Sequence, residues 1–431
     1  VNRQQAARST QQAADRPQVW CILFCLLAAA CKREPWVPKA PPKPTPAQVR
    51  QAHIDQGADD SSERQNLLNT ARGAAVVDRT AEYMLDNGAV RAIDGDPSSD
   101  WISPLGDPLQ TLTFSFAAKS RIEKLGISSP PIYGVKTVTF ETSLDGTHFT
   151  RAAQHVFERR KGEQLFDVTP ADALYLRVTV DDTYAGTANL LSIIARGKEL
   201  EPVAPRNISG CWAVNTFPAA FDEHGGTASG WFDQGERMWI EGGFDGRVWR
   251  FVWIRGPQYG LLAVTMPPGS ERLSAQKWYI DGDPYNQAEN LFGERRPCGA
   301  PDTAPRADVL RTYLDRHGYV PIYGLHFDAS NALDAAASDF ALSEILRLIA
   351  ATTPRPVTLI SRELRGADAA ADRSTAQQRL DSLKAELTRR KADLSRVRFT
   401  ARGRDDFRTA VWSEMERTLQ SGIEIEIPLP R

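Results

Sequence analysis

From about Ala74 to Leu200, apolar and polar residues alternate in short runs, and that pattern commits a chain to half-buried β-strands. Thr111–Phe116, Val135–Thr142 and Leu174–Val180 each carry one apolar and one polar face. Gly106-Asp107-Pro108, Asp145-Gly146 and Gly162 supply turn signals between them. Many short strands at this spacing predict a β-sandwich or barrel for residues 74–200.

The rest of the chain follows other patterns, and 431 residues suit two to four domains. Residues 201–306 hold six of the ten tryptophans: Trp212, Trp231, Trp239, Trp249, Trp253 and Trp278. Alternation over Arg237–Glu241 and Val248–Ile254, with Gly242-Gly243 and Asp245-Gly246 read as turns, predicts a second, small all-β domain. Its tryptophans either fill a core or domain interface, or stack on sugar rings. Residues 307–431 change to mixed α/β. Strands are predicted at Val320–Asp328, Val357–Ser361, Val397–Ala401 and Ile423–Ile427, and helices at Asp339–Ile349, Ala369–Leu394 and Asp406–Leu419. Leu380, Leu383 and Leu387 line one face of the long helix, and Glu386 and Arg390 form an i,i+4 pair.

The amino-terminal region bears on location. Val19–Cys31 is too short an apolar run to span a bilayer, and Arg3, Arg8 and Arg16 precede it. This is the layout of a secretory signal peptide, placed here at residues 1–30. Pro35, Pro38, Pro41, Pro42, Pro44 and Pro46 then stiffen a spacer, and residues 31–73 read as a tether. Leu26-Leu27-Ala28-Ala29-Ala30-Cys31 resembles the lipobox of bacterial lipoproteins, which implies cleavage before Cys31 and its acylation. Ala28 stands where that family usually has Leu, and Lys32 resembles the Gram-negative signal for the outer membrane. Simple Ala-x-Ala cleavage, releasing a soluble periplasmic protein, is the alternative. With the leader removed and Cys31 lipidated, Cys211 and Cys298 remain in an oxidising compartment, which predicts a disulfide between them. Lys and Arg total 52 against 54 Asp and Glu, so no electrostatic grip on nucleic acid is indicated.

Ala92-Ile-Asp-Gly-Asp-Pro-Ser-Ser-Asp-Trp101 resembles the opening motif of discoidin (coagulation-factor C-type) domains. Val138–Phe149, Tyr175–Val178 and Leu190–Gly197 are similar to that family's later strands, in the same order. The resemblance implies an eight-stranded jelly-roll sandwich that binds glycans or other surfaces through loops at one end. It also implies a structural Ca²⁺ held by Asp94, Asp96 and Ser99, although Ser192 stands where the family often supplies a Glu. An ordinary Asx-rich turn is the simpler reading of Asp94-Gly95-Asp96, and Trp101 is read as a core residue beneath it.

The carboxy-terminal strand–helix order resembles an OmpA-like domain, with Ile322–Leu333 similar to its first strand and the turn after it. Glu363 falls at the position of that family's conserved Asp, and Arg379 at that of its Arg, sixteen residues later. The resemblance implies that Glu363 and Arg379 clamp the zwitterionic diaminopimelate end of the peptidoglycan stem. In the closing motif, Arg417–Ile425, Gln420, Ser421 and Gly422 replace the family's Asn and paired arginines. Without a ligand the pair reads as a helix-end ion pair. The sequence holds no Gly-x-Ser-x-Gly, phosphate-cradling Gly-Lys-Ser, His-Glu-x-x-His or Cys-x-x-Cys motif, and its 54 acids leave room for a glycosidase pair, for instance Glu241 with Asp245. The expected protein is a non-enzymatic outer-membrane lipoprotein facing the periplasm, with peptidoglycan and a glycan or protein surface as partners. The alternatives are an interaction scaffold with a degenerate OmpA-like domain and a glycan-processing enzyme using residues 201–306.

Overall fold

The computed structural model describes residues 65–84, 87–201, 206–269, 271–280, 288–299, 306–364, 368–406 and 413–429. The apolar run Val19–Cys31, read above as the end of a leader, and the proline-rich stretch read as a spacer lie outside the described residues.

The first part is a β-sandwich of eight strands: β1 (Ala75–Arg79), β2 (Trp101–Ile102), β3 (Thr111–Ser128), β4 (Val135–Ser143), β5 (Thr150–Val156), β6 (Glu163–Thr183), β7 (Asn189–Leu190) and β8 (Ser192–Glu199). One sheet runs β1-β3-β6-β4-β5, with β8 also on β3, and β2 pairs with β7. The alternating residues point into one core, where Trp101, Phe114, Phe116, Phe140 and Phe157 are fully buried. This fold starts earlier than the tether boundary at residue 73. Leu67 and Leu68 are buried, and the Asn66 amide clips them to β8. Asn66 Nδ2 donates to Ile193 O at 2.9 Å, and its Oδ1 accepts from Ala195 N at 3.0 Å.

The tryptophan-rich part is a closed barrel of eight antiparallel strands: β9 (Gly210–Val214), β10 (Phe217–His224), β11 (Thr227–Asp233), β12 (Arg237–Phe244), β13 (Trp249–Arg255), β14 (Gln258–Thr265), β15 (Arg272–Tyr279) and β16 (Glu289–Arg296). Each strand pairs with the next, and β9 closes the ring by pairing with β16. Closure leaves no open edge. Gly242-Gly243 is not a turn: both residues lie within β12. The barrel needs them there, because large inward rings face glycines across the ladder. Trp253 lies opposite Gly260, Phe251 opposite Gly242 and Phe221 opposite Gly230. Side chains, among them Trp212, Trp249 and Trp253, fill the interior. The Asp245-Gly246 turn stands where it was expected, between β12 and β13.

The third part is a four-stranded mixed sheet in the order β17-β20-β18-β19. Its elements are α1 (Val309–His317), β17 (Tyr319–Ile322), α2 (Asp339–Ala351), β18 (Val357–Arg362), α3 (Ala369–Arg389), β19 (Val397–Arg402), α4 (Glu414–Gln420) and β20 (Gly422–Glu426). Among the described strands of this sheet, β18 and β19 are the pair that runs parallel, joined through α3. Helix α1 was not anticipated; the Asp308 side chain caps it by accepting from Arg311 N. The expected strand to Asp328 stops at Ile322, since Gly324 bends the chain at φ 87°. The long helix ends at Arg389 rather than Leu394, with Lys391 in the left-handed region. Asp406 is not helical, and α4 begins at Glu414 behind a Ser413/Glu416 capping box.

The barrel sits between the other two parts. Val252, Ile254, Leu261, Ala263 and Trp278 on its outer wall share a core with Tyr313, Leu342 and Ile345 of the α/β part. Burial on both faces explains why β13 and β14 are apolar almost throughout. On the sandwich side, Glu199 accepts from Arg247 Nη2 at 2.7 Å and from Arg72 Nη2 at 2.6 Å, and Val76 N donates to Ser274 Oγ at 3.3 Å. All three parts belong to one compact unit. Among the described residues no helix is long and apolar enough to cross a membrane.

Candidate functional site

Glu363 follows directly on β18, and Arg379 lies midway along α3, which returns across that strand. The βαβ crossover brings the two together: Arg379 Nη1 donates to Glu363 Oε2 at 2.7 Å. Glu363 is buried, with 5% of its side chain exposed against 18% for Arg379. Glu363 Oε1 also accepts from Leu364 N at 2.9 Å. Sequence reasoning missed a third member, Asn331, whose Oδ1 accepts from Arg379 Nε at 3.1 Å. Asn331 sits at φ 64° in the turn after β17, a left-handed position that Asn tolerates. Asp328 shapes that turn by accepting from Ser330 N and Ala332 N. The turn is tied to α3 by Leu333 N donating to Ser382 Oγ and Asn331 Nδ2 donating to Gln378 Oε1. The Phe327 ring lies 5.5 Å beneath the Arg379 guanidinium. Three separate segments thus hold one guanidinium–carboxylate pair, an arrangement suited to a ligand carrying both charges.

The structure places Asp94, Asp96 and Ser99 together in one buried loop. Ser99 Oγ donates to Asp94 Oδ1 and Oδ2, each at 2.9 Å, and Asp96 N donates to Asp94 Oδ1 at 3.0 Å. The cation beside Asp94 belongs to the protein: buried Arg91 places Nη1 3.5 Å from Oδ2. Gln276 reaches over from β15 to the same oxygen at 3.4 Å. Burial raises the Asp94 carboxyl to about 8, against the pull of Arg91. This donor set, with a guanidinium in place, does not fit a Ca²⁺ cage. Among the described residues no group of three or more His, Cys, Asp or Glu is gathered for a metal. Trp101 lies in the core, as expected.

The ends of β1 and β6 and the starts of β3 and β4 lie at one end of the sandwich, as the register Arg79↔Leu112, Thr111↔Thr179 and Val135↔Thr183 requires. Loops there expose Tyr83, Met84, Leu105, Leu109, Ile132 and Tyr133. Tyr184 Oη donates to Phe157 O at 2.6 Å and Arg159 Nε donates to Pro131 O at 2.8 Å, tying these loops to one another.

Cys211 and Cys298 form the expected disulfide, at the seam where β9 meets β16. The tryptophans divide three ways. Trp212, Trp249 and Trp253 are inside the barrel, and Trp278 is buried against the α/β part. Trp231 and Trp239 are half-buried neighbours on the outer wall. Glu241 is on the outer wall too, whereas Asp245 sits in the turn after β12.

Residues 75–194 match the F5/8 type C domain family, so the sandwich is a discoidin-like domain. Among solved structures, the chain is similar to CpGH89CBM32-5 from Clostridium perfringens, solved in complex with GalNAc-β-1,3-galactose. The identity is 15%, over 30% of this chain and 97% of that one, with a TM-score of 0.28. It is also similar to the C-terminal domain of a chitobiase from Bacteroides fragilis (21% identity, 30% and 96% covered, TM-score 0.27). A third similar structure is chitosan-binding module 1 of a chitosanase/glucanase from Paenibacillus sp. IK-5 (20% identity, 31% and 98% covered, TM-score 0.27). No curated protein matches the chain in sequence.

Proposed function

We propose that this chain is a non-enzymatic protein of the bacterial envelope, an outer-membrane lipoprotein anchored through Cys31 and facing the periplasm. Its discoidin-like domain engages a glycan or protein surface through the loops carrying Tyr83 and Tyr133. Its α/β part, an OmpA-like domain in this reading, takes the zwitterionic end of a peptidoglycan stem peptide between Glu363 and Arg379. The observation that carries the reading is the meeting of these two residues, sixteen apart in sequence, at 2.7 Å on a strand–helix crossover. A ligand with an ammonium and a carboxylate exchanges this one ion pair for two, so its binding need not leave a buried charge unpaired. The test is co-sedimentation of the full chain with purified peptidoglycan. Glu363→Ala and Arg379→Ala should each reduce retention about tenfold or more, and unchanged retention would remove the clamp.

A second reading is favoured by the burial of Glu363 and by its pairing within the fold. The pair then only staples the Asn331 turn to α3, and the α/β part is a scaffold for protein partners. In that case both variants lower the melting temperature and the wild type does not sediment with peptidoglycan.

A further inference from the structure

A groove of about 750 Å³ crosses the outer wall of the barrel over β9–β12, on the side of the disulfide seam. This volume lies in the range of small-ligand sites. Its floor is set by the ladder register. Ala220, Trp231 and Trp239 lie side by side on adjacent strands, and Asp222, Ser229 and Glu241 form the next row. One wall is the segment that Cys298 ties to Cys211, and the other is the approach to α1, with Arg306 and Val309. Arg306 Nη2 donates to Asp222 Oδ2 at 2.9 Å, and Nη1 donates to Ser229 Oγ at 3.2 Å. The Arg237 guanidinium lies 4.5 Å from the Trp231 ring centre and 5.4 Å from that of Trp239, which fixes both indoles.

We propose that this groove is a second, non-catalytic binding site, separate from the sandwich loops and from Glu363, for a short stretch of neutral oligosaccharide. The class follows from what the groove offers. Two held indoles present flat apolar area, which suits the C–H faces of pyranose rings. Asp222, Ser229, Arg306 and Glu241 present donors and acceptors along one side, which suits vicinal hydroxyls. Asp222 and Arg306 pair with each other, so neither is left over to hold an ionic ligand. An extended peptide is disfavoured, because the strands of the floor are already paired on both sides and offer no backbone edge.

The experiment is calorimetric titration of the full chain with cellotetraose, chitotetraose and galactotetraose, coupled to an assay for new reducing ends. The wild type should bind at least one of them. Trp231→Ala should weaken that binding about tenfold or more. Arg306→Ala, at a well-exposed position where folding is not at stake, should weaken it severalfold. A Tyr83→Ala/Tyr133→Ala variant of the sandwich loops should retain the groove-dependent binding. Binding that ignores Trp231→Ala and Arg306→Ala but vanishes with the loop variant would overturn this site while leaving the discoidin-like reading intact. No binding by the wild type would also overturn it, and release of reducing ends would replace it with a catalytic cleft.

Discussion

Inside the barrel, the fully buried Lys277 holds its ammonium 2.5 Å from Glu289 Oε2 and 4.9 Å from the ring centre of Tyr279. The two partners are unequal: Glu289 leaves a third of its side chain exposed, and Lys277 none. Removing the carboxylate strands an ammonium in the interior, whereas removing the ammonium leaves a carboxylate that water can reach. Glu289→Ala should therefore cost about 3 kcal/mol and Lys277→Met less than about 1.5. Urea unfolding of both variants checks this, and equal losses would refute it. Lys277 is also a position the sequence hides, because a lysine in an alternating strand reads as solvent-facing, yet the register puts it on the inner row beside Leu262. Glu363 and Arg379 could be picked out as a pair from a motif resemblance, although their separation is one residue longer than that motif's usual spacing, and the strand–helix crossover brings them together. Asn331 was not legible, because its contact depends on a left-handed turn that spacing does not encode. Nor was Arg91, whose charge meets Asp94 only once the loop is folded.

At the scale of elements, the barrel shows how a glycine deceives. Gly230, Gly242 and Gly260 all lie inside strands. A Cβ at Gly260 would come within 1.8 Å of Trp278 O and 2.8 Å of the Trp253 ring. Neither can retreat, since the first is ladder backbone and the second fills the core. Gly260→Ala should destabilise by about 2–3 kcal/mol through overpacking, while Gly299→Ala, where a Cβ meets nothing within 4 Å, should change little. Urea midpoints of the two variants compare them directly, and a neutral Gly260→Ala would mean that the Trp253–Gly260 pairing is not tight. Alternation made parts of β3, β4 and β6 readable, because Phe114, Val138, Phe140, Leu176 and Val178 turn toward a single core. It could not announce barrel closure, which depends on β9 meeting β16 at a distance in sequence. Helix α1 was overlooked for a related reason: it packs against the barrel wall, and its apolar residues Val309, Leu310, Tyr313 and Leu314 belong to a core whose other half is β-sheet.

For the whole molecule, that shared core sets the barrel and the α/β part in close contact, and ionisable groups gather at its margin. Glu241 of β12 faces the start of α1 and one side of α2, where Arg347 donates to Asp308 Oδ2 at 2.6 Å and pairs with Glu344 at 2.6 Å. Burial, then the charges of Glu344 and Asp308, raise the Glu241 carboxyl from 4.5 to about 7; Arg347 and the Leu310 N–H oppose the shift. The folded chain therefore holds a proton that the unfolded chain releases. Stability from this group is fully present below pH 4.5 and is lost as the pH rises to about 7. Glu241→Gln should remove that slope. The variant should match the wild type in acid and exceed it above neutrality by at most about 3 kcal/mol. Unfolding free energies of both proteins across that window decide the matter. If their difference does not grow with pH, Glu241 is ionised in the folded state, and the contact between barrel and α/β part carries a charge that its neighbours already accommodate.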